Sequence, residues 1–347
     1  MPRVRIGKRW VGDGEPTYIV AELGANHNRD LGMARDLIGA AAEAGADAVK
    51  FQTYSAETLY SRKTPRFTYL EGVSEKDTWQ LIKDIELPRE WQAKLAGMCA
   101  DASITFFSSP FDHRAVDELV ALHVPAFKIA SFELVDLGLI ARAAGHGRPM
   151  ILSTGMATYG DILDALRACW EAGNRDVVLL QCTSLYPAPA RLANLRAIPG
   201  MARAFGVPVG LSDHTLGTHA AIASVALGCC VIEKHFTLDR KLPGPDHPFA
   251  IEPPELKALV AAIREVESAL GDGRKLGPAP EEAEMFQKAR RSLVAAADIP
   301  RGAPIRPDMV VTKRPGTGIP PKFLELIVGR PARRDIEADD VITWDMV

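Results

Sequence analysis

From residue 18 to residue 235 the chain alternates short apolar runs with amphipathic stretches, and each run ends in polar, chemically capable residues. The runs cover residues 18–21, 46–49, 104–107, 126–129, 150–152, 177–180, 207–211 and 229–232. Near-continuous apolar runs of this length are the pattern of strands buried on both faces by helices. Helical spacing marks residues 31–44, 88–100, 113–122, 159–171 and 252–270. Gly45 supplies a stop after the first of these. Eight such strand–helix units predict an α/β protein, a (β/α)8 TIM barrel, with its chemistry at the C-terminal ends of the strands.

Other stretches depart from this rhythm. Residues 1–16 alternate as a hairpin around Gly7-Lys8 and predict a plug under the barrel. Residues 53–87 exceed an ordinary connection and hold Tyr54, Tyr60, Phe67, Tyr69 and Trp79. Such a segment forms a substrate wall or lid, or simply packs on the barrel. After residues 271–277 the composition changes, which divides the chain into a barrel domain of 1–275, a linker of 276–289 and a small C-terminal domain of short strands and turns, 290–347. The glycines of 271–277 follow a helix, so they do not form a dinucleotide-binding loop.

Composition narrows the class. The 347 residues are 47% hydrophobic, ample for a large core, and carry a net charge of −3. That balance gives no electrostatic reason to expect nucleic acid or an anionic membrane as partner. No run reaches the length of a spanning helix, and the N-terminus lacks the apolar core of a signal peptide. The five cysteines form no CxxC pair, which argues against a disulfide framework or a zinc knuckle. A cytoplasmic enzyme is the expectation.

The strand ends supply the candidate chemistry. His214 and His235 end the last two barrel strands, 21 residues apart, so their imidazoles would reach one metal ion, with Asp213 and Glu233 as orienting neighbours. Two imidazoles completed by water suit a labile divalent metal, Mn²⁺ or Mg²⁺, better than closed structural zinc. His27 and His247, in loops, are weaker candidates. Lys50 and Lys128 end the second and fourth barrel strands, where a phosphate or carboxylate would be held with hydroxyls from Ser109, Ser131 and Ser153. The alternatives for the lysines are ion pairs with Glu22 or Glu133, or Schiff-base chemistry. Glu22 is placed for sugar binding, for proton transfer or for pairing with a lysine. Tyr186 offers a phenol, Asp246 sits in a rigid turn suited to hydroxyl binding, and Arg314 lies in a Lys-Arg-Pro-Gly turn that could meet an anion or a hydroxyl.

Taken together, IVAELGANHN (19–28), GADAVKFQTY (45–54), FFSSPFD (106–112), FKIASFE (127–133), ILSTGMAT (151–158), QCTSLYPAP (181–189), GLSDHT (210–215), IEKHFTLDR (232–240) and PGPDH (243–247) resemble the sialic (nonulosonic) acid synthase family. SLVAAADIPRGAPI and VTKRPGTG resemble the antifreeze-like (SAF, β-clip) domain of those enzymes. The resemblance implies condensation of phosphoenolpyruvate with an N-acetylated amino-hexose, giving a nine-carbon 2-keto acid and phosphate with C–O cleavage. It implies that His214 and His235 hold the metal, and that Lys50, Ser109, Lys128, Ser131 and Ser153 bind phosphoenolpyruvate. Glu22, Gln52, Tyr186 and Asp246 match sugar-contacting or activating positions. Arg314 matches an arginine inserted into the neighbouring subunit's site, which implies a domain-exchanged homodimer.

The sugar is left open. Ser184 stands where neuraminate synthases tend to have asparagine; KIASFE and CTSLYP resemble the pseudaminate branch, PGPDH the neuraminate and legionaminate branches. The acceptor is N-acetylmannosamine or a 6-deoxy-2,4-diacetamido hexose, for which Phe67 or Tyr69 would supply an apolar wall. Three rivals remain: a Schiff-base aldolase, a keto-deoxy sugar phosphate synthase and a non-catalytic carbohydrate-binding protein.

Overall fold

The computed structural model describes residues 2–65 and 76–347, which fall into two units, Met1–Gly271 and Asp272–Val347. The proposed wall residues Phe67 and Tyr69 lie outside the described residues. The first unit opens with an antiparallel hairpin, β1 (Arg3–Ile6) and β2 (Arg9–Gly12). Its Val4, Ile6 and Val11 join the barrel's hydrophobic core. Arg9 pairs with Asp47, just before the second barrel strand, so the hairpin closes the N-terminal end as expected.

Eight parallel strands follow: β3 (Tyr18–Glu22), β4 (Ala48–Thr53), β5 (Thr105–Pro110), β6 (Phe127–Ile129), β7 (Met150–Ser153), β8 (Val177–Cys182), β9 (Val209–Asp213) and β10 (Val231–His235). Their hydrogen-bonded order is β5-β4-β3-β10-β9-β8-β7-β6. The two end strands, β5 and β6, also lie side by side, so the sheet all but closes into a barrel. Strands β3, β7, β9 and β10 are buried at every position, which explains the apolar runs with which they begin.

Around them run α1 (Leu31–Glu43), α2 (Ala56–Leu59), α3 (Thr78–Ile85), α4 (Gln92–Asp101), α5 (His113–Ala121), α6 (Leu137–Ala144), α7 (Tyr159–Glu171), α8 (Ala197–Phe205), α9 (His219–Val225) and α10 (Pro253–Leu270). Several begin where a loop residue caps free backbone N–H groups: Asp30, Asp112, Asp136 and Thr158 accept from the first turns of α1, α5, α6 and α7. The connection of residues 53–87 contains α2 and α3, so in part it is ordered helix and not plain loop.

The second unit has α11 (Ala283–Ala289), the antiparallel pair β11 (Ser292–Ala295) and β12 (Val310–Lys313), and the short α12 (Leu324–Ile327). Its separate core gathers Leu293, Ile299, Ile305, Ile319, Ile327, Ile336 and Ile342. No described helix is long and apolar enough to cross a membrane.

Candidate active site

Parallel register puts the polar strand ends in one layer. On β3, β4 and β10, Glu22 lies level with Lys50 and with His235; Gln52 lies level with Ser109 on β5. Alternation then turns Glu233 and His235 to the same side of β10. The barrel mouth thereby collects Glu22, Lys50, Gln52, Ser109, Lys128, Ser131, Ser153, His214, Glu233 and His235.

At its floor two ammonium groups meet two carboxylates. Lys50 pairs with Glu22, lies 3.8 Å from Glu233 Oε1, and donates to Ser109 Oγ at 3.3 Å. Lys128 donates to the Ile129 carbonyl at 3.1 Å and sits 3.7 Å from Glu233 Oε1. All four side chains are buried. Burial disfavours each charge, but Glu22 and Glu233 outweigh it at Lys50 and hold that ammonium above its usual range. Burial wins at Lys128, which falls below its usual value although Glu233 opposes it. At Glu233 burial is outweighed by Lys128 and Lys50, so its carboxyl lies below the usual range and is ionised. Burial lifts Glu22 despite Lys50. The pairing with Glu22 is the structural alternative foreseen for Lys50; Lys128 keeps unused donors for an anion.

Hydroxyls line the side facing Lys128. Ser153 Oγ and Ser184 Oγ are buried and find no hydrogen-bond partner among the described residues. Ser131 Oγ accepts from Gly155 N at 3.0 Å. Gly155 lies close against both hydroxyls: a Cβ there would lie 2.8 Å from Ser131 Oγ and collide with Ser184 Oγ unless they turned aside. Unsatisfied buried hydroxyls are costly unless a ligand completes them.

The histidines stand above this floor, ring centroids 5.3 Å apart. Two imidazoles sharing an ion at roughly 2.1 Å would sit at about this separation. His214 Nδ1 donates to the Thr183 carbonyl at 2.9 Å, which leaves Nε2 with a free lone pair. His235 Nδ1 is buried without a hydrogen bond among the described residues, 3.6 Å from Asp246 Oδ2. Burial, reinforced by the nearby Lys50 ammonium, drives His235 well below the usual imidazole value, so it is neutral and able to ligate. At His214 burial lowers the value, but the Cys182 thiol and the Thr183 carbonyl outweigh it and raise it. Among the described residues no three His, Cys, Asp or Glu side chains form a metal cluster. The donor set thus fits a cation held by His214 and His235 and completed by solvent or substrate oxygen.

One expectation is corrected here. Asp213 and Glu233 make no hydrogen bond to the imidazoles. Asp213 faces outward and pairs with Lys234 at 2.8 Å, while Glu233 serves as counter-ion to the lysines. The carbonyl of Thr183 and the carboxyl of Asp246 stand beside the rings instead.

Tyr186, Gln52 and Asp246 stand beside these groups. Tyr186 packs on His214 at 4.3 Å between ring centroids. Gln52 donates to Glu22 Oε1 at 2.9 Å. Asp246 approaches Gly24 so closely that a Cβ there would lie 2.7 Å from its carboxyl, and Gly24 has a φ of +47°. Burial and the nearby Glu22 push Asp246 up to about 6. His27 and His247 stay in their loops, each lowered to about 4 by burial. Arg314 follows β12 in the second unit.

Three mouth residues escaped the sequence reading as site groups. Glu133, in the turn after β6, has Oε2 buried without a partner among the described residues and is pushed up to about 7 by burial against the opposing pull of Lys128. Cys182 ends β8 with its sulfur 3.8 Å from His214 Nδ1. Ser212 donates to Glu233 Oε1 at 3.4 Å. Each lies inside a quoted motif, so strand alternation was the available signal.

Comparison with known proteins places the chain in a family. The NeuB family model matches residues 37–275 and the SAF domain model residues 290–347. The N,N'-diacetyllegionaminic acid synthase of Campylobacter jejuni is 41% identical, over 94% of this chain and 98% of that one. The pseudaminic acid synthase of Helicobacter pylori is 38% identical, over 95% and 98%. The crystal structure of N-acetylneuraminic acid synthetase from Leptospira borgpetersenii superposes with a TM-score of 0.73 at 33% identity, covering 82% of this chain and 95% of that one. With its barrel mouth and both matched domains, the chain belongs to the NeuB family, the sialic (nonulosonic) acid synthases, and is a transferase of that kind.

Proposed function

We propose that the protein condenses phosphoenolpyruvate with an N-acetylated amino-hexose, N-acetylmannosamine or a 6-deoxy-2,4-diacetamido hexose, giving a nine-carbon 2-keto acid and phosphate. The observation that carries this is the stacking of two functions in one mouth: a buried lysine–serine floor for an anion, and a histidine pair 5.3 Å apart above it. A divalent cation, Mn²⁺ or Mg²⁺, held by His214 and His235, would supply Lewis-acid polarisation of the acceptor's aldehyde oxygen. Lys50 and Lys128, with Ser109, Ser131 and Ser153, would bind the phosphate and carboxylate of phosphoenolpyruvate. Phosphoenolpyruvate C3 forms the new bond to the sugar carbonyl carbon, water adds at C2, and the C2–O bond breaks to release phosphate. Gln52, Tyr186, Ser184 and Asp246 would orient the sugar. Glu22, lifted by burial, would hold or deliver a proton at its carboxyl oxygen.

Arg314 would complete the site from a second subunit. Supporting this, Phe132, Val135, Met156, Leu185 and Leu216, all in loops after barrel strands, are exposed and apolar, as a covered rim would be. A mixing experiment tests it. Arg314→Ala and His235→Ala chains, each at about a hundredth of wild-type activity or less alone, should regain about a quarter of wild-type turnover when statistically mixed, because one site per heterodimer is then intact. No recovery would remove the exchange.

The reaction itself is tested by phosphate release and product mass with Mn²⁺ over both sugar types, with and without chelator. Turnover of one sugar, abolished by chelation, is expected. Chelator-resistant activity with borohydride trapping of pyruvate on Lys50 or Lys128 would replace it with Schiff-base chemistry.

A further inference from the structure

Behind the two histidines lies a second charged group that the reaction does not touch. Lys234 directly precedes His235 on β10; Asp213, the last residue of β9, and Thr215 directly flank His214. Lys234 and Asp213 are register partners, turned by alternation away from the mouth. Lys234 Nζ donates to Asp213 Oδ2 at 2.8 Å and to the Thr215 carbonyl at 2.7 Å. Asp213 Oδ1 accepts from Thr215 N at 2.9 Å and from its hydroxyl at 2.8 Å. All three residues are buried. A third segment is tied in, because Ala188 N donates to the His214 carbonyl at 2.8 Å and Ala188 bridges Thr215. The stretch that carries Tyr186 is thereby fixed to the same point.

A buried ion pair is a poor source of stability, since desolvation offsets the attraction and packed apolar side chains serve as well. What this one adds is geometry. It clamps the backbone on both sides of His214 to the residue before His235, so the spacing of the rings cannot drift independently of it. We infer that Asp213, Thr215 and Lys234 are positioning residues that set the separation of His214 and His235 for a shared divalent cation. This rests on the proposed metal role of the histidines and extends it to residues that never reach the substrate.

Mn²⁺ binding to the full-length protein, measured by titration calorimetry and electron paramagnetic resonance without substrate, tests it. Lys234→Met should weaken Mn²⁺ by about 10- to 100-fold, the usual effect of losing an outer-sphere support. Phosphoenolpyruvate binding in the absence of metal should stay within about threefold, because its lysine–serine floor is untouched. If Lys234→Met fails to fold, the charge-neutral pair Asp213→Asn with Lys234→Met decides, and should show the same selective loss. A folded variant with Mn²⁺ affinity unchanged would overturn the inference. So would parallel loss of Mn²⁺, phosphoenolpyruvate and melting temperature, which marks a purely structural pair. If the wild-type protein binds no Mn²⁺, the metal reading fails and this inference falls with it, whereas an unaffected variant beside a Mn²⁺-binding wild type sinks the inference alone.

Discussion

The barrel carries a charged network at each end, and the two are built to different ends. At the N-terminal end Asp47 pairs with Arg9, lies 3.6 Å from Arg264, and accepts from Ile19 N at 2.8 Å. Arg264 pairs with Glu267 at 2.9 Å and donates to the Thr17 carbonyl at 3.0 Å, while Glu267 accepts from Thr17 N at 2.6 Å. These groups meet one another and the backbone of β3, and their arginines reach solvent. At the C-terminal end the charges are fully buried, and Ser153, Ser184, Glu133 and His235 keep atoms without a partner among the described residues. Polar groups that are satisfied hold a fold together; polar groups buried and left open hold a place for a ligand.

Four changes test that contrast. His235→Ala should lower turnover roughly a thousandfold by removing a cation ligand, with a loss of stability confined to the packing of its ring on Phe249 and Tyr186, because Nδ1 had no hydrogen bond to lose. Steady-state kinetics beside calorimetry would show it; a large loss of stability would make the C-terminal network structural after all. Arg314→Ala should cost about a hundredfold in kcat/KM through a missing charged contact, with an unchanged melting curve. Near-normal turnover would take Arg314 out of the site. Asp47→Ala, at the other end, should lower stability by about 1–2 kcal/mol, chiefly by leaving the buried Ile19 N–H without its acceptor, while kcat holds, as read by denaturant melts and initial rates.

The smallest effect is one of pH. Glu133 titrates near 7 when folded and near the ordinary carboxylate value when unfolded, so the folded state holds the extra proton between them. Stability from this group is full at low pH and declines as pH rises through 7. Glu133→Gln should therefore melt close to wild type at pH 5 and be more stable by about 1–2 kcal/mol at pH 8. A gap that does not grow with pH would mean that Glu133 is not held protonated.

Much of this architecture was readable before any coordinates, because a buried parallel strand must be apolar and its mouth-facing end must not be. Helices were less legible where sequence breaks their rhythm. Pro199 and Gly200 interrupt α8, yet Pro199 falls in its first turn, where its missing N–H costs nothing. Gly138 and short length hid α6, and α9 spans seven residues. In the site, the residue types were visible but their partners were not. Asp213 and Glu233 look equivalent beside their histidines; one-residue alternation sends one outward to Lys234 and the other into the mouth. Partner choice depends on register across strands, which no local motif states.

The seam of the barrel has a consequence of its own. Strands β5 and β6 touch without joining the hydrogen-bonded order, and they carry Ser109 on one side and Lys128 with Ser131 on the other. The spacing of these two sides of the mouth is therefore not fixed by a backbone ladder among the described residues. If the mouth holds the anion proposed for it, trimming or enlarging core residues along these two strands would retune its affinity in small steps, a dial that the ladder-bound strands beneath the histidines do not offer.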